Sequence, residues 1–157
     1  MPIDTIHGRG AILLAIALAI SASGASGHGD EHRDAAYGRP GDPAKASRTV
    51  PIDMSDSMRF TPALITARKG ETIRFALSNS GKVRHEMVLG SSRELKEHAA
   101  LMQKFPEMQH ADPNRLSVDP GKTGALVWQF TRAGTFDFAC LQPGHFEAGM
   151  RGRITVR

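Results

Sequence analysis

The sequence predicts an all-β protein, a β-sandwich that carries one short surface helix. Short apolar segments recur between turn signals, and several alternate apolar and polar residues as half-buried strands do. Turn-forming residues interrupt the apolar pattern at Lys69-Gly70, Asn79-Ser80-Gly81, Asp119-Pro120-Gly121 and Ala133-Gly134. The predicted strands are residues 50–54, 58–60, 64–67, 72–77, 86–89, 126–130, 135–140 and 153–156.

One segment breaks the strand pattern and predicts the helix. Between residues 91 and 104, the apolar residues Leu95, Ala99, Leu101 and Met102 are spaced helically among charged residues. We expect this helix to lie on the surface of the sandwich, within an insert that spans residues 91–114.

The first 27 residues are typical of a secretory signal peptide. An uninterrupted apolar run covers residues 11–20, and small residues that suit cleavage after Ala25 or Gly27 follow it. The run is only about half of the roughly twenty apolar residues that a membrane-spanning helix needs. We therefore expect an exported, periplasmic protein with no membrane span after processing.

The remaining 130 residues suffice for one domain with its own core. Residues 28–48 are polar and rich in turn formers, which predicts a flexible or loosely docked arm ahead of a folded domain over residues 49–157. The net charge is only +4 and the basic residues are scattered singly, so nucleic-acid binding is not expected.

The single cysteine, Cys140, is the most informative residue for function, because exported proteins normally use cysteines in pairs. It could be a buried small hydrophobe, form an intermolecular disulfide, or bind a metal. His145 and Met150 follow within eleven residues, and thiolate, imidazole and thioether form a donor set soft enough for copper. A second histidine, His85, begins a predicted strand and could approach Cys140 at one end of the sandwich.

Two other chemistries use cysteine and histidine. A cysteine nucleophile needs an oriented base, an oxyanion hole and a substrate cleft, and no sequence motif indicates them. Zinc accepts both side chains, but a thioether is a ligand that copper uses and zinc seldom does. The pattern therefore favours copper.

The residues from Gly134 to Val156, with the Cys140, His145 and Met150 spacing, resemble the C-terminal signature of the cupredoxins, the superfamily of plastocyanin and azurin. Upstream, Met58-Arg-Phe-Thr-Pro62, Lys69-Gly-Glu-Thr72, Arg74-Phe75 and Asn79-Ser-Gly81 are similar to the first strands of that family. The resemblance covers roughly residues 49–157. It implies a Greek-key sandwich and one type 1 copper site with four ligands: His85, Cys140, His145 and Met150.

Two features depart from the electron-transfer members of that family. Many of them place asparagine after the first histidine, where it helps to tie the two ligand-bearing segments together, and this chain has Glu86. A carboxylate there could change the surroundings of the ligands and thereby the potential and colour of the site. The insert and the histidine-bearing arm resemble the exported cupredoxins of bacterial copper tolerance.

Additional copper could bind outside the type 1 site. Within the insert, His98 and Met102 lie one helical turn apart, although Met102 could equally pack the helix onto the sandwich. In the arm, a histidine near a new amino terminus could chelate Cu(II), or the histidines could simply be solvated. The candidate accessory ligands are His28, His32, His98, Met102, Met108 and His110.

Two functions fit this sequence best. One is a copper-tolerance protein that binds periplasmic copper, with a possible Cu(I)/Cu(II) conversion and a copper-handling partner protein. The alternative is a soluble one-electron carrier between respiratory complexes, with a cytochrome or an oxidase as its partner. A third possibility is an oxidase or reductase subunit in which this domain relays electrons to a separate catalytic centre. The sequence lacks the His-x-His pattern of a trinuclear copper centre, so this chain alone is not expected to be a multicopper oxidase.

Overall fold

Two five-stranded sheets form the fold in the computed structural model, which describes residues 35–106, 108 and 112–157. The strands are β1 (Arg39–Pro40), β2 (Arg48–Ser55), β3 (Arg59–Thr61), β4 (Leu64–Ala67), β5 (Thr72–Asn79), β6 (His85–Gly90), β7 (Arg115–Val118), β8 (Thr123–Gln129), β9 (Gly134–Ala139) and β10 (Arg151–Val156). Helix α1 (Ser92–Lys104) lies between β6 and β7 in the chain. The predicted β-sandwich with one short helix is confirmed.

The strand order is β1-β8-β5-β2-β3 in the first sheet and β4-β10-β9-β6-β7 in the second. Each sheet contains one parallel pair, β2 with β5 and β4 with β10, while the other neighbours are antiparallel. The pairing of β6 with β9 matters most for function, because it aligns Val88 with Ala139 and so brings the start of β6 next to the end of β9.

The core lies between the sheets and is built from alternate residues of each strand. In β5, for example, Ile73, Phe75 and Leu77 are buried, as the period of two predicts. Aromatic rings join the sheets, with Phe60 packing edge-on against Phe138 at 4.9 Å between ring centroids. Gly152 is required opposite this pair, since a Cβ there would lie 2.1 Å from the Phe138 ring.

Helix α1 begins with a capping box in which the Ser91 hydroxyl accepts from the Glu94 N–H and the Glu94 carboxylate accepts from the Ser91 N–H. Its buried face consists of Leu95, Ala99 and Met102, and these residues form a small apolar cluster with Val88, Ala139 and Leu141. Leu101, which the spacing also suggested as a packing residue, is 39% exposed.

The described part of the predicted arm, residues 35–48, contacts the sandwich. Strand β1 pairs with β8, and the ring of Tyr37 stacks on Trp128 at 5.6 Å between centroids. The Trp128 indole N–H donates to the Tyr37 carbonyl, and Asn114 donates to the Tyr37 hydroxyl. The polar composition hid this docking, because a single aromatic residue makes most of the contact.

A short strand, β7, was also missed by the sequence analysis. It pairs with β6 at the edge of the second sheet, so Arg115 lies opposite Val88 and Ser117 lies opposite Glu86. Its four residues do alternate polar and apolar, but only two of them are apolar and turn formers lie on both sides, so the segment was too short to indicate a strand. This strand completes the surroundings of the site described below.

Replacing Tyr37 tests the docking of the arm. We expect Tyr37→Ala to lower the free energy of unfolding by about 3 kcal/mol, because it removes a nearly buried aromatic ring. Tyr37→Phe is the matched control and should cost only about 1 kcal/mol, since it removes the hydroxyl alone. Denaturant unfolding of the metal-free protein measures both values, and a Tyr37→Ala variant as stable as the parent would contradict the docked arrangement.

Candidate metal centre

Three side chains with metal-binding atoms converge at one end of the sandwich. His85 begins β6, Cys140 directly follows β9, and His145 lies on the loop from Cys140 to β10. One ligand atom from each of the three lies within 4.8 Å of the other two. The Cys140 Sγ is 3.2 Å from His145 Nδ1, and the two imidazole centroids are 5.0 Å apart.

The loop that follows β9 is closed by its own backbone. The Met150 N–H donates to the His145 carbonyl at 3.0 Å, and the Cys140 N–H donates to the Met150 carbonyl at 3.1 Å. Met150 is fully buried in the same core cluster as Cys140. Gly149 has a φ of 90°, a left-handed conformation that favours glycine and that lets the chain turn back toward β10. The backbone thus holds Cys140, His145 and Met150 at the same end of the sandwich.

A contact from the opposite sheet also supports this loop. The Arg59 guanidinium donates from Nη1 to the carbonyls of Met58 and Ala148, at 2.7 Å and 3.0 Å. Within the loop region, the Arg151 guanidinium lies 4.7 Å from the centroid of the Phe146 ring. These contacts connect the loop to β3 and to the start of β10.

The surroundings of His85 leave one ring nitrogen available for a ligand. The side chain is fully buried, and its Nε2 lies 3.1 Å from the Asp56 carboxylate. An Nε2–H that donates to this carboxylate leaves Nδ1 with a free lone pair. Among the described residues, this buried Nδ1 has no hydrogen-bond partner. A buried polar atom without a partner is unfavourable, and a metal ion between the three side chains would satisfy it.

The other two side chains of the cluster suit a metal for different reasons. Burial, partly offset by the Glu86 N–H that donates to Sγ at 3.4 Å, raises the pKa of the Cys140 thiol to about 12. Burial and the neighbouring His85 lower the pKa of His145, which keeps its imidazole neutral and able to donate a lone pair. A thiolate at Cys140 therefore needs a cation beside it, and the donor set of two imidazoles and one thiolate fits copper.

Glu86 ties the two ligand-bearing segments together. Its backbone N–H donates to Cys140 Sγ, and its Oε1 accepts from the Leu141 N–H at 3.2 Å. Its Oε2 accepts from Arg115 at 2.6 Å and from Ser117 at 3.0 Å. Glu86 thus connects the two segments, which is the role expected of the asparagine that many electron-transfer cupredoxins have at this position. The Arg115 guanidinium balances its charge.

The predicted accessory ligands do not join this cluster in the described part of the chain. Met102 is buried in the apolar cluster beneath α1, and Met108 packs against that cluster, as core residues do. His98 is half-buried on the same helix. His28, His32 and His110 lie outside the described residues, as do the predicted signal peptide and its cleavage sites. A second copper site on the insert or the arm stays a prediction.

Sequence reasoning missed the polar residues that surround the cluster. Asp56 lies in the turn between β2 and β3, 29 positions before His85. Arg115 and Ser117 lie on β7, which was not predicted. No local pattern marks these residues, because their contacts with the cluster arise only from the pairing of distant strands.

The fold and the cluster together define a copper-binding β-sandwich. The model of the copper binding proteins of the plastocyanin/azurin family matches residues 46–157, and the chain belongs to this family. The predicted cupredoxin resemblance and the copper cofactor are thereby confirmed, and the His–Cys–His cluster is compatible with a type 1 copper site.

Two relatives are similar in sequence to this chain over most of the length of both proteins. The copper-resistant cuproprotein CopI of Rubrivivax gelatinosus is 57% identical over 135 residues, which cover 84% of this chain and 82% of that protein. The protein of the same name from Pseudomonas aeruginosa is 34% identical over 175 residues, with 93% of each chain covered.

Solved structures support the same fold. Auracyanin B superposes with a TM-score of 0.62 at 20% identity, covering 79% of this chain and 96% of that one. Reduced auracyanin from Roseiflexus castenholzii gives a TM-score of 0.61 at 22% identity, covering 71% of this chain and 98% of its own. Within the described residues, no helix combines the length and the apolar character needed to cross a membrane.

Breaking the buried ion pair between Glu86 and Arg115 by changing one partner should cost more stability than breaking a more exposed pair. We expect Glu86→Gln to lower the free energy of unfolding by about 3 kcal/mol, because it leaves the Arg115 charge desolvated and uncompensated. Asp137→Asn is the matched control, since it breaks the pair with Arg153, whose side chain is 62% exposed, and should cost less than about 1 kcal/mol.

Denaturant unfolding of the metal-free proteins compares the two variants. Equal costs for Glu86→Gln and Asp137→Asn would show that the Glu86 carboxylate does not hold the two segments together through a buried charge.

Proposed function

We propose that this chain is an exported copper-tolerance protein whose copper is held by His85, Cys140, His145 and Met150. The observation that carries the proposal is the cluster of two imidazoles and one cysteine, whose ligand atoms lie within 4.8 Å of one another. The names of the two relatives, copper-resistant cuproproteins at 57% and 34% identity, supply the biological context.

Each ligand has a distinct structural support. Cys140 is held by the end of β9 and by the Glu86 N–H, and His85 is held by Asp56. Met150 is the fourth candidate because its backbone bonds to both Cys140 and His145, and its thioether is buried in the core. Copper held by these residues would supply one-electron chemistry between Cu(I) and Cu(II).

The donor set explains how the protein could protect a cell from copper. Thiolate and thioether are soft ligands that favour Cu(I), while the imidazoles bind either oxidation state. Residues 1–27 have the features of a signal peptide, which would place this site in the periplasm after cleavage near residues 25–27. Tolerance would then follow from binding copper outside the cytoplasm.

A second function, one-electron transport between respiratory complexes, is supported by one observation. His85 and Cys140 are buried, whereas His145 is partly exposed and lies beside the exposed Pro143 and Gly144. An electron could therefore pass through the His145 edge to a cytochrome or an oxidase. Growth of a deletion strain separates the two functions.

A visible spectrum tests the ligand assignment. The protein loaded with Cu(II) should show intense absorption from charge transfer between the Cys140 thiolate and copper, and Cys140→Ser should abolish it. Met87→Leu is the matched control, because Met87 is a buried thioether of β6 that the proposal does not use. A colourless parent protein, or a coloured Cys140→Ser variant, would refute the type 1 assignment.

Deletion of the gene tests the tolerance function. The deletion strain should stop growing at a copper concentration that the parent tolerates, and the unmodified gene should restore growth while the Cys140→Ser gene should not. Fractionation of the complemented cells should recover the protein in the periplasm with the first 25 to 27 residues removed. Normal growth in copper together with lost respiration would favour the electron carrier instead.

A further inference from the structure

The turn between β2 and β3 carries Asp56, whose carboxylate contacts the ring of His85, a proposed copper ligand. Asp56 accepts from His85 Nε2 at 3.1 Å, and it also accepts from the backbone N–H groups of Lys82 and Val83 at 2.7 Å and 3.4 Å. The residues just before His85 therefore wrap around the same carboxylate that contacts its ring.

We propose that Asp56 is a positioning residue for the copper centre, which holds the His85 imidazole in its Nε2–H form and stabilises Cu(II) relative to Cu(I). This inference rests on the ligand set proposed above. It adds a residue from a third segment of the chain, which carries none of the four proposed ligands.

The loop between β5 and β6 packs closely around the Asp56 carboxylate. A Cβ at Gly81 would lie 2.1 Å from Asp56 Oδ1, so a larger residue there would displace the carboxylate or the loop. The Gly81 N–H in turn donates to the Asn79 side chain, which fixes the path of the loop out of β5. The position of Asp56 is thus determined by the turn between β2 and β3, which carries it, and by the loop between β5 and β6, which surrounds its carboxylate.

The orientation of the ring follows from this contact. A carboxylate accepts hydrogen bonds and donates none when it is ionised. Hydrogen bonds from the backbone N–H groups of Lys82 and Val83 favour the ionised form of the Asp56 carboxylate. The proton of the neutral imidazole is then on Nε2, and the lone pair of the buried Nδ1 is left for the metal.

Asp56 and Glu86, the two carboxylates near the cluster, differ in whether a basic side chain balances their charge. Glu86 is paired with Arg115, so the pair has little net charge. Among the described residues, the Asp56 carboxylate contacts the His85 ring and pairs with no lysine or arginine side chain. Its side chain is 39% exposed, which screens the charge but does not cancel it.

An uncompensated negative charge beside a ligand stabilises the more highly charged metal ion. Hydrogen bonding to a carboxylate also makes the imidazole a more basic ligand, and removing such a partner typically costs about 10- to 100-fold in metal affinity. The loss should be larger for Cu(II) than for Cu(I). Asp56 is therefore expected to lower the reduction potential of the site.

The variant Asp56→Asn tests this inference, since it keeps the size of the side chain and removes the charge. We expect the affinity for Cu(II), measured by competition with a chelator, to fall about tenfold more than the affinity for Cu(I). For a one-electron couple, a tenfold difference corresponds to a rise of about 59 mV in the reduction potential, which voltammetry measures.

The matched control is Asp53→Asn. Asp53 lies on β2, three residues before Asp56, and accepts from the Ser78 and Ser80 hydroxyls at 3.0 Å and 2.7 Å, without a hydrogen bond to His85. This variant makes the same change in net charge. Its reduction potential should change by only a small fraction of the shift expected for Asp56→Asn. Equal shifts in the two variants, or an unchanged potential in Asp56→Asn, would overturn the proposal.

A measurement on the unsubstituted, metal-free protein tests the tautomer without any variant. Nitrogen-15 NMR of the His85 ring should show the proton on Nε2, and a proton on Nδ1 would also overturn the proposal. The Cys140→Ser spectrum tests the ligand set separately. If that variant loses the absorption while Asp56→Asn leaves the potential unchanged, the copper site stands and only the role of Asp56 is wrong.

Discussion

The pairing of β6 with β9 is the interaction on which the metal centre depends. It joins two segments more than fifty residues apart, so that the Glu86 N–H reaches Cys140 Sγ and the His85 ring faces the loop after β9. The sandwich core fixes both strands, because β9 is also paired with β10 and β6 with β7. A preformed cluster of this kind does not require the chain to rearrange when it binds a metal.

Glu86 and Arg115 show how the fold accommodates a carboxylate in an apolar region. Burying either charge alone would be strongly unfavourable, and the pair is tolerated because the remaining lone pairs of Glu86 are also used. Ser117 and the Leu141 N–H take these additional bonds. Strand β7 thus brings Arg115 and Ser117 to this carboxylate at the edge of the second sheet.

Much of the fold and the central cluster could be predicted from local patterns. Alternation and turn residues identified eight strands, helical spacing identified α1, and the spacing after Cys140 identified His145. The supporting groups could not be found in this way. Asp56 and Arg115 act through contacts between distant segments, and Tyr37 docks an otherwise polar segment by a single ring stacked on Trp128.

The cluster is buried on one side and partly exposed on the other, and this difference in exposure matters for both candidate functions. His85 is enclosed by Asp56 and the loop around it, and Cys140 is enclosed by the Glu86 network, so both are inaccessible to solvent. Of the three clustered side chains, His145 alone is partly exposed. Exchange of an electron or of a copper ion must therefore involve the loop that carries His145. Retention of copper at the proposed ligands would then depend on the buried side, where Asp56 and Glu86, from different segments, hold His85 and Cys140 in place.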